Sequence, residues 1–251
     1  MDWIGAALAE SGYIVAAVDH PGNNAREPVT WEGFTLWWER ATDLSDVVDG
    51  VLGDSAFAPH VDSARIGALG FSLGGYTVLE LAGARTDLPA FMRFCRGPSA
   101  DAVCHPPEMA RVVDRPLAGA EPSAPTEPSL ARSGASYRDP RFKAVFAIAP
   151  ALGQAFDPAS LADVSVPIEL LARDGDVNVP VATNAAHIAA LLPHGKLLLV
   201  PGAGHYTFLP PCAPAMEQTM PWLCRDAPGT DRAAVHAIAV GKVRAFFDRV
   251  L

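Results

Sequence analysis

Gly70-Phe71-Ser72-Leu73-Gly74, followed by Gly75, sets a serine between an apolar stretch of strand length, Ile66–Gly70, and a helical pattern, Leu73–Leu81. A serine at a sharp strand-to-helix turn has its hydroxyl raised to the carboxyl end of a sheet, where it can attack a carbonyl carbon. Glycines are expected at 70 and 74 because side chains there would collide with neighbouring backbone. The same turn opens a helix at Leu73, whose backbone N–H would be aimed at a developing oxyanion. A phosphate loop would need GxxxxGK[ST] or GxGxxG, and neither pattern is present here. The chemistry indicated is nucleophilic attack by Ser72.

A hydroxyl is a weak nucleophile until a base takes its proton, so a histidine must meet it. Of seven histidines, only His205 lies just beyond a late apolar strand, in Pro201-Gly202-Ala203-Gly204-His205. His187 and His236 fall within helical patterns, and His194 sits in a turn before a strand. His20 also follows an apolar run and is a candidate to line the site, but it precedes the serine, against the chain order serine, acid, histidine. A carboxylate must then hold the imidazole in one tautomer and stabilise the imidazolium. Asp174 and Asp176 compete for that role after the run Ile168–Ala172, and spacing does not separate them.

The elements that must position these groups alternate between strand and helix. Residues 2–10 form an amphipathic helix, Tyr13–Val18 a strand buried on both faces, and the stretch from about Leu36 to Val51 a second helix. Ile66–Gly70, Lys143–Ile148, Ile168–Ala172 and Lys196–Val200 are further strands; Val181–Leu192 and Ala233–Phe247 are helices. Strands alternating with helices predict a mostly parallel sheet flanked by helices. Residues 1–251 read as one domain, with 87–139 as a lid or binding insertion, since Pro89, Pro98, Pro106, Pro107, Pro116, Pro122, Pro125 and Pro128 punctuate it. Phe91, Met92 and Phe94 in that insertion either line an acyl or alcohol pocket or form the lid's own small core. Phe71, Phe91, Phe94 and His20 are the candidate substrate-lining residues.

Half of the 251 residues are hydrophobic and only 19% are charged, enough for a large core. A net charge of −9 argues against nucleic acid or an anionic membrane as the main partner without identifying a substrate; the expected partner, a small-molecule ester, comes from the Ser72 chemistry. No run of apolar residues is long enough for a transmembrane helix, and the N-terminus lacks the pattern of a signal peptide. Cys95, Cys104, Cys212 and Cys224 allow three pairings, between which sequence does not choose. The local pairs would close short loops outside the sheet and fit a periplasmic or secreted protein; the alternative is four partly buried thiols in a cytoplasmic enzyme. Zinc at Cys95, Cys104 and His105 lacks the CxxC pair that would support it.

Five segments carry a resemblance: GYIVAAVDHPGNN at 12–24, IGALGFSLGGYT at 66–77, DPRFKAVFAIAP at 139–150, DGDVNVP at 174–180 and GAGHYTFL at 202–209. Together they resemble the branch of bacterial α/β-hydrolases known as predicted dienelactone hydrolases, which is similar to platelet-activating-factor acetylhydrolases. In that family the acid precedes a proline by four positions, which implies Asp176, with Pro180, as the acid. The family histidine corresponds to His205. The resemblance implies an α/β-hydrolase fold and ester hydrolysis through an acyl-enzyme, without metal or organic cofactor. True dienelactone hydrolases use cysteine as nucleophile, where this chain has Ser72.

The family also carries a His-Gly-x-Gly loop about a dozen residues before the position of Met1, and that loop supplies a second oxyanion N–H. The resemblance thus implies an N-terminally truncated chain, through an internally assigned start or as a shortened form. One such donor is worth about 3 to 4 kcal/mol of transition-state stabilisation. Besides ester hydrolysis, two other functions fit the same residues: amide or peptide hydrolysis by the same triad, and a catalytically silent binding module.

Overall fold

Four of the five apolar runs become strands. In the computed structural model, which describes residues 1–113 and 126–251, chain order gives α1 (Asp2–Glu10), α2 (Trp31–Thr35), α3 (Glu39–Gly53), β1 (Ile66–Phe71), α4 (Leu73–Ala82) and α5 (Leu88–Arg96). There follow α6 (Met109–Val113), α7 (Thr126–Ala131), β2 (Phe142–Ile148), α8 (Pro158–Ala162) and β3 (Ile168–Gly175). The chain closes with α9 (Ala185–Leu191), β4 (Lys196–Ala203), α10 (Pro214–Thr219), α11 (Pro221–Cys224) and α12 (Arg232–Val250). The strands form one sheet in the order β1-β2-β3-β4, and every pair is parallel.

The sheet is covered on both faces, and β2 shows why its sequence is a continuous apolar run rather than an alternating one. Ala144, Phe146 and Ile148 face a cluster with Ile4 and Leu8 of α1 and Val235, Val243 and Phe246 of α12. Phe142, Val145 and Ala147 face the opposite cluster, with Tyr76, Val78 and Leu79 of α4 and Leu161 of α8. Neighbouring residues of β2 thus point into different cores. The helices start and stop on local signals. Asp87 caps α5 by accepting the Ala90 N–H, Asp231 caps α12 through Ala234 N–H, and Gly83 ends α4 in the left-handed conformation.

Two expectations need correction. Tyr13–Val18 does not form a strand; Ile14 is 49% and Val15 43% exposed. Among the described residues β1 pairs only with β2, so the Tyr13–Val18 run meets no strand that would complete a ladder. The run leaves α1 through the Tyr13 N–H, which donates to Leu8 O at 3.2 Å, and continues without ladder pairing. The expected helix from Leu36 begins at Glu39, because Leu36 is spent capping α2.

The described residues of segment 87–139 are more helical than its prolines suggest, holding α5, α6 and α7. Pro89 is accommodated in the first turn of α5, where a missing N–H costs nothing. Pro116, Pro122 and Pro125 lie outside the described residues. Both local cysteine pairs are disulfides: Cys95–Cys104 joins α5 to the following turn, and Cys212–Cys224 encloses α10 and most of α11. No helix among the described residues is long and apolar enough to cross a membrane.

Candidate active site

Ser72 sits between β1 and α4 with φ 54° and ψ −117°, a conformation L-residues avoid. Neighbouring backbone holds it there: Ser72 N–H donates to Ile148 O at 2.9 Å, and Ser72 O accepts from Tyr76 and Ala151 N–H, each at 3.1 Å. A Cβ on Gly70 would lie 2.0 Å from Gly74 O, so the turn closes only around glycine. At Gly74, by contrast, a Cβ would meet nothing within 4 Å, which corrects the expected collision there. The second tight glycine is Gly75, whose added Cβ would come within 2.9 Å of Pro150 Cα. Leu73 is the first residue of α4, so its N–H belongs to the turn that lacks intrahelical acceptors.

Three side chains distant in sequence meet here. His205 Nε2 is 2.8 Å from Ser72 Oγ, and His205 Nδ1 is 2.7 Å from Asp176 Oδ2. The other carboxylate oxygen, Asp176 Oδ1, accepts the N–H groups of Asn178 and Val179 at 3.0 and 2.8 Å. Three hydrogen-bonding contacts thus hold this buried carboxylate and fix its orientation toward the imidazole. His205 and Asp176 are almost fully buried, whereas Ser72 is half-buried. Asp174 does something different: its Oδ1 accepts the Gly202 N–H at 2.8 Å. The two aspartates that spacing left equivalent therefore occupy separate positions.

Aromatic rings frame the histidine. Phe71 lies 4.8 Å from the His205 ring, and Tyr206 meets it edge-on at 5.2 Å. Behind the loop, Trp3 Nε1–H donates to Phe208 O at 3.0 Å, and His236, stacked on Trp3, is 2.8 Å from Thr207 O through Nε2. Burial pushes the His236 imidazole below its ordinary range, so the neutral ring is favoured as the donor to that carbonyl. Thr207 Oγ1 donates to Asp226, which also holds Arg232. Burial opposes the Asp226 charge, but hydrogen bonds from Arg232 and Thr207 outweigh it and hold the carboxyl low.

The remaining candidates sit elsewhere. His20 is buried and bonded through Nδ1 to Asp43 Oδ2 at 2.6 Å, not to a member of the Ser72 cluster. Phe91 is buried edge-on against Trp37 at 5.1 Å, with Phe94 at 6.4 Å from Phe91, inside the larger core cluster. Sequence reasoning missed Tyr206, whose hydroxyl donates to Glu108, just after α5 and the turn that follows it. Its only signal was adjacency to His205. It also missed Arg173, on the strand that leads to Asp176. Among the described residues no group of three His, Cys, Asp or Glu side chains could hold a metal ion.

A model of the alpha/beta hydrolase family matches residues 2–216. Cutinase 2 of Thermobifida cellulosilytica is 31% identical over 90 residues, which are 35% of this chain and 30% of that protein. Cutinase est2 of Thermobifida alba is 32% identical over 90 residues, 35% of this chain and 27% of that protein. The chain thus spans less than a third of the length of these curated relatives. A solved structure described as a predicted CIB-like hydrolase from Thermoplasma acidophilum has a TM-score of 0.45 at 16% identity, covering 98% of this chain and 80% of that one.

Proposed function

The chain belongs to the alpha/beta hydrolase family, and from that premise we propose that it is a serine hydrolase cleaving carboxylic esters through an acyl-enzyme. The observation that carries the proposal is the unbroken line of contacts from Ser72 Oγ through His205 to Asp176. The partial likeness to cutinases supports an ester as the scissile group. The DGDVNVP and GAGHYTFL segments further support a place near the dienelactone-hydrolase-like and platelet-activating-factor acetylhydrolase-like branch.

In this reading His205 Nε2 takes the Ser72 proton as the oxygen attacks the ester carbonyl. Asp176 keeps the other ring proton on Nδ1 and stabilises the imidazolium. The Leu73 N–H, reinforced by the start of α4, donates to the developing oxyanion. Collapse expels the alcohol, protonated by His205. Water then enters, gives its proton to the same nitrogen and releases the acid.

We read segment 87–139 as the insertion bounding the substrate cleft. Its anchors support this: Glu108 is held by Tyr206, and Asp101 by Thr183 in the loop after Asp176. The test is turnover of matched nitrophenyl esters and nitroanilides by the wild type and Ser72→Ala. Ester turnover abolished by Ser72→Ala supports the proposal. Faster anilide turnover replaces it with amide hydrolysis, and no turnover of either leaves a binding module.

A further inference from the structure

Arg173 is a buried cation that the proposed chemistry does not use. It is 2% exposed, and its Nη1 has no hydrogen-bond partner among the described residues. Asp226, whose carboxyl it helps hold low, is hydrogen-bonded to Arg232 and Thr207. Burying a guanidinium so incompletely satisfied is unfavourable, so its remaining contacts must matter.

Those contacts lie at an interruption of the sheet. β3 and β4 pair up to Arg173↔Val200, and pairing resumes at Gly175↔Ala203 after a register shift. Within the gap Pro201 has no N–H and Gly202 turns to φ +105°. The ordinary ladder cannot run through, and two consecutive side chains of β3 replace it. Arg173 donates from Nε to Gly202 O at 3.2 Å and from Nη2 to Pro201 O at 3.1 Å. Asp174 accepts the Gly202 N–H. A Cβ on Gly202 would lie 2.3 Å from Arg173 Nη2, so the loop is fitted to the guanidinium.

His205 stands three residues beyond Gly202, and Asp176 three beyond Arg173. One strand end therefore grips the histidine loop at its base through Arg173 and Asp174 and at its tip through Asp176. We propose that Arg173 is a positioning residue for His205. By bridging the Pro201 and Gly202 carbonyls it sets the spacing of loop and strand at which Nε2 reaches Ser72 and Nδ1 reaches Asp176. A lysine offers one ammonium where two nitrogens in a rigid plane are needed, so Arg173→Lys does not substitute. The inference rests on the serine-hydrolase reading, but its first readout does not.

The experiment compares the wild type, Arg173→Lys and Arg173→Gln. The first readout, without substrate, is the proton NMR signal of the His205 Nδ1–H held by Asp176, expected to broaden or vanish in both variants. The second is nitrophenyl-ester kinetics well below the melting temperature. The kcat is expected to fall on the order of 10- to 100-fold with KM within about twofold, since small misplacement of reacting groups is costly. The base limb of the pH profile is expected to move as well. Variants with a lower melting temperature but an unchanged imidazole signal and kcat would overturn the inference, leaving Arg173 a stability residue. Should neither variant fold, Gly202→Ala disturbs the same contact with the cation retained, and an unchanged signal and kcat there would also overturn it. A wild type without Ser72-dependent turnover sinks the serine-hydrolase reading instead, and the NMR comparison still decides the positioning role.

Discussion

The Tyr206 hydroxyl donates to Glu108 Oε1 at 2.7 Å, tying the residue after His205 to segment 87–139. Burial and the adjacent carboxylate push the Tyr206 phenol well above its ordinary range, so it stays a donor at any working pH. A hydrogen bond to a charged group contributes about 1.5 to 3 kcal/mol, and partial exposure places this one at the low end. Tyr206→Phe is expected to raise KM for bulky esters several-fold while leaving nitrophenyl acetate nearly unchanged. Steady-state kinetics with an ester series checks this. Equal effects on both substrates would show that the tie does not shape the cleft.

Asp174 and Asp176 are expected to separate on mutation. Asp176→Asn leaves the imidazole in the wrong tautomer and should lower kcat by a factor on the order of 10⁴. Asp174→Asn removes the charge but leaves an amide oxygen that can still accept the Gly202 N–H, and should keep kcat within about tenfold. Reversed magnitudes in a kcat comparison would reassign the acid.

That separation marks where residue spacing alone stopped being informative. The elbow was legible because its geometry requires glycine at Gly70, and a Cβ there strikes the Gly74 carbonyl. His205 was legible because the glycine loop behind it follows an apolar strand. Asp174 and Asp176 lie two residues apart on the same strand end; spacing left them equivalent, the resemblance implied Asp176, and the hydrogen bonds of the folded chain set Asp176 against His205 and Asp174 against Gly202. Tyr13–Val18 misled because apolar content reports what a segment could bury, not whether a partner strand stands beside it. Arg173 was invisible because its partners are main-chain carbonyls, which carry no sequence signature.

Glu80 makes stability depend on pH. It is fully buried on α4, accepts from Tyr76 and Thr86, and desolvation pushes its carboxyl up to about 8. The folded protein therefore holds a proton on Glu80 that the unfolded chain, at a value of 4.5, has released. Stability contributed by the neutral acid is full below the unfolded value and is lost as pH rises through the folded one. Glu80→Gln keeps an acceptor for both hydroxyls without the charge. Thermal melts are expected to show little difference near pH 5 and a clearly higher melting temperature for Glu80→Gln near pH 9. Parallel curves for the two proteins would refute this.

The disulfides close loops with sequence separations of 9 and 12 residues. Constraint of the unfolded chain gives roughly 2 to 3 kcal/mol for each. Cys212–Cys224 adds a functional consequence, because Trp222 inside its loop packs edge-on against Tyr206 at 5.3 Å. Cys212→Ala/Cys224→Ala is expected to lower both the melting temperature and kcat, whereas Cys95→Ala/Cys104→Ala should act mainly on stability and on KM. Melting curves and kinetics on the two double variants test the distinction.

Covalent capture of the nucleophile tests the central assignment most directly. The purified chain, treated with a fluorophosphonate and digested, should carry one phosphonyl adduct, on the peptide containing Ser72. His205→Ala should slow its formation by several orders of magnitude, and Ser72→Ala should abolish it. An adduct on another serine, or labelling of Ser72 at the same rate without His205, would contradict the account.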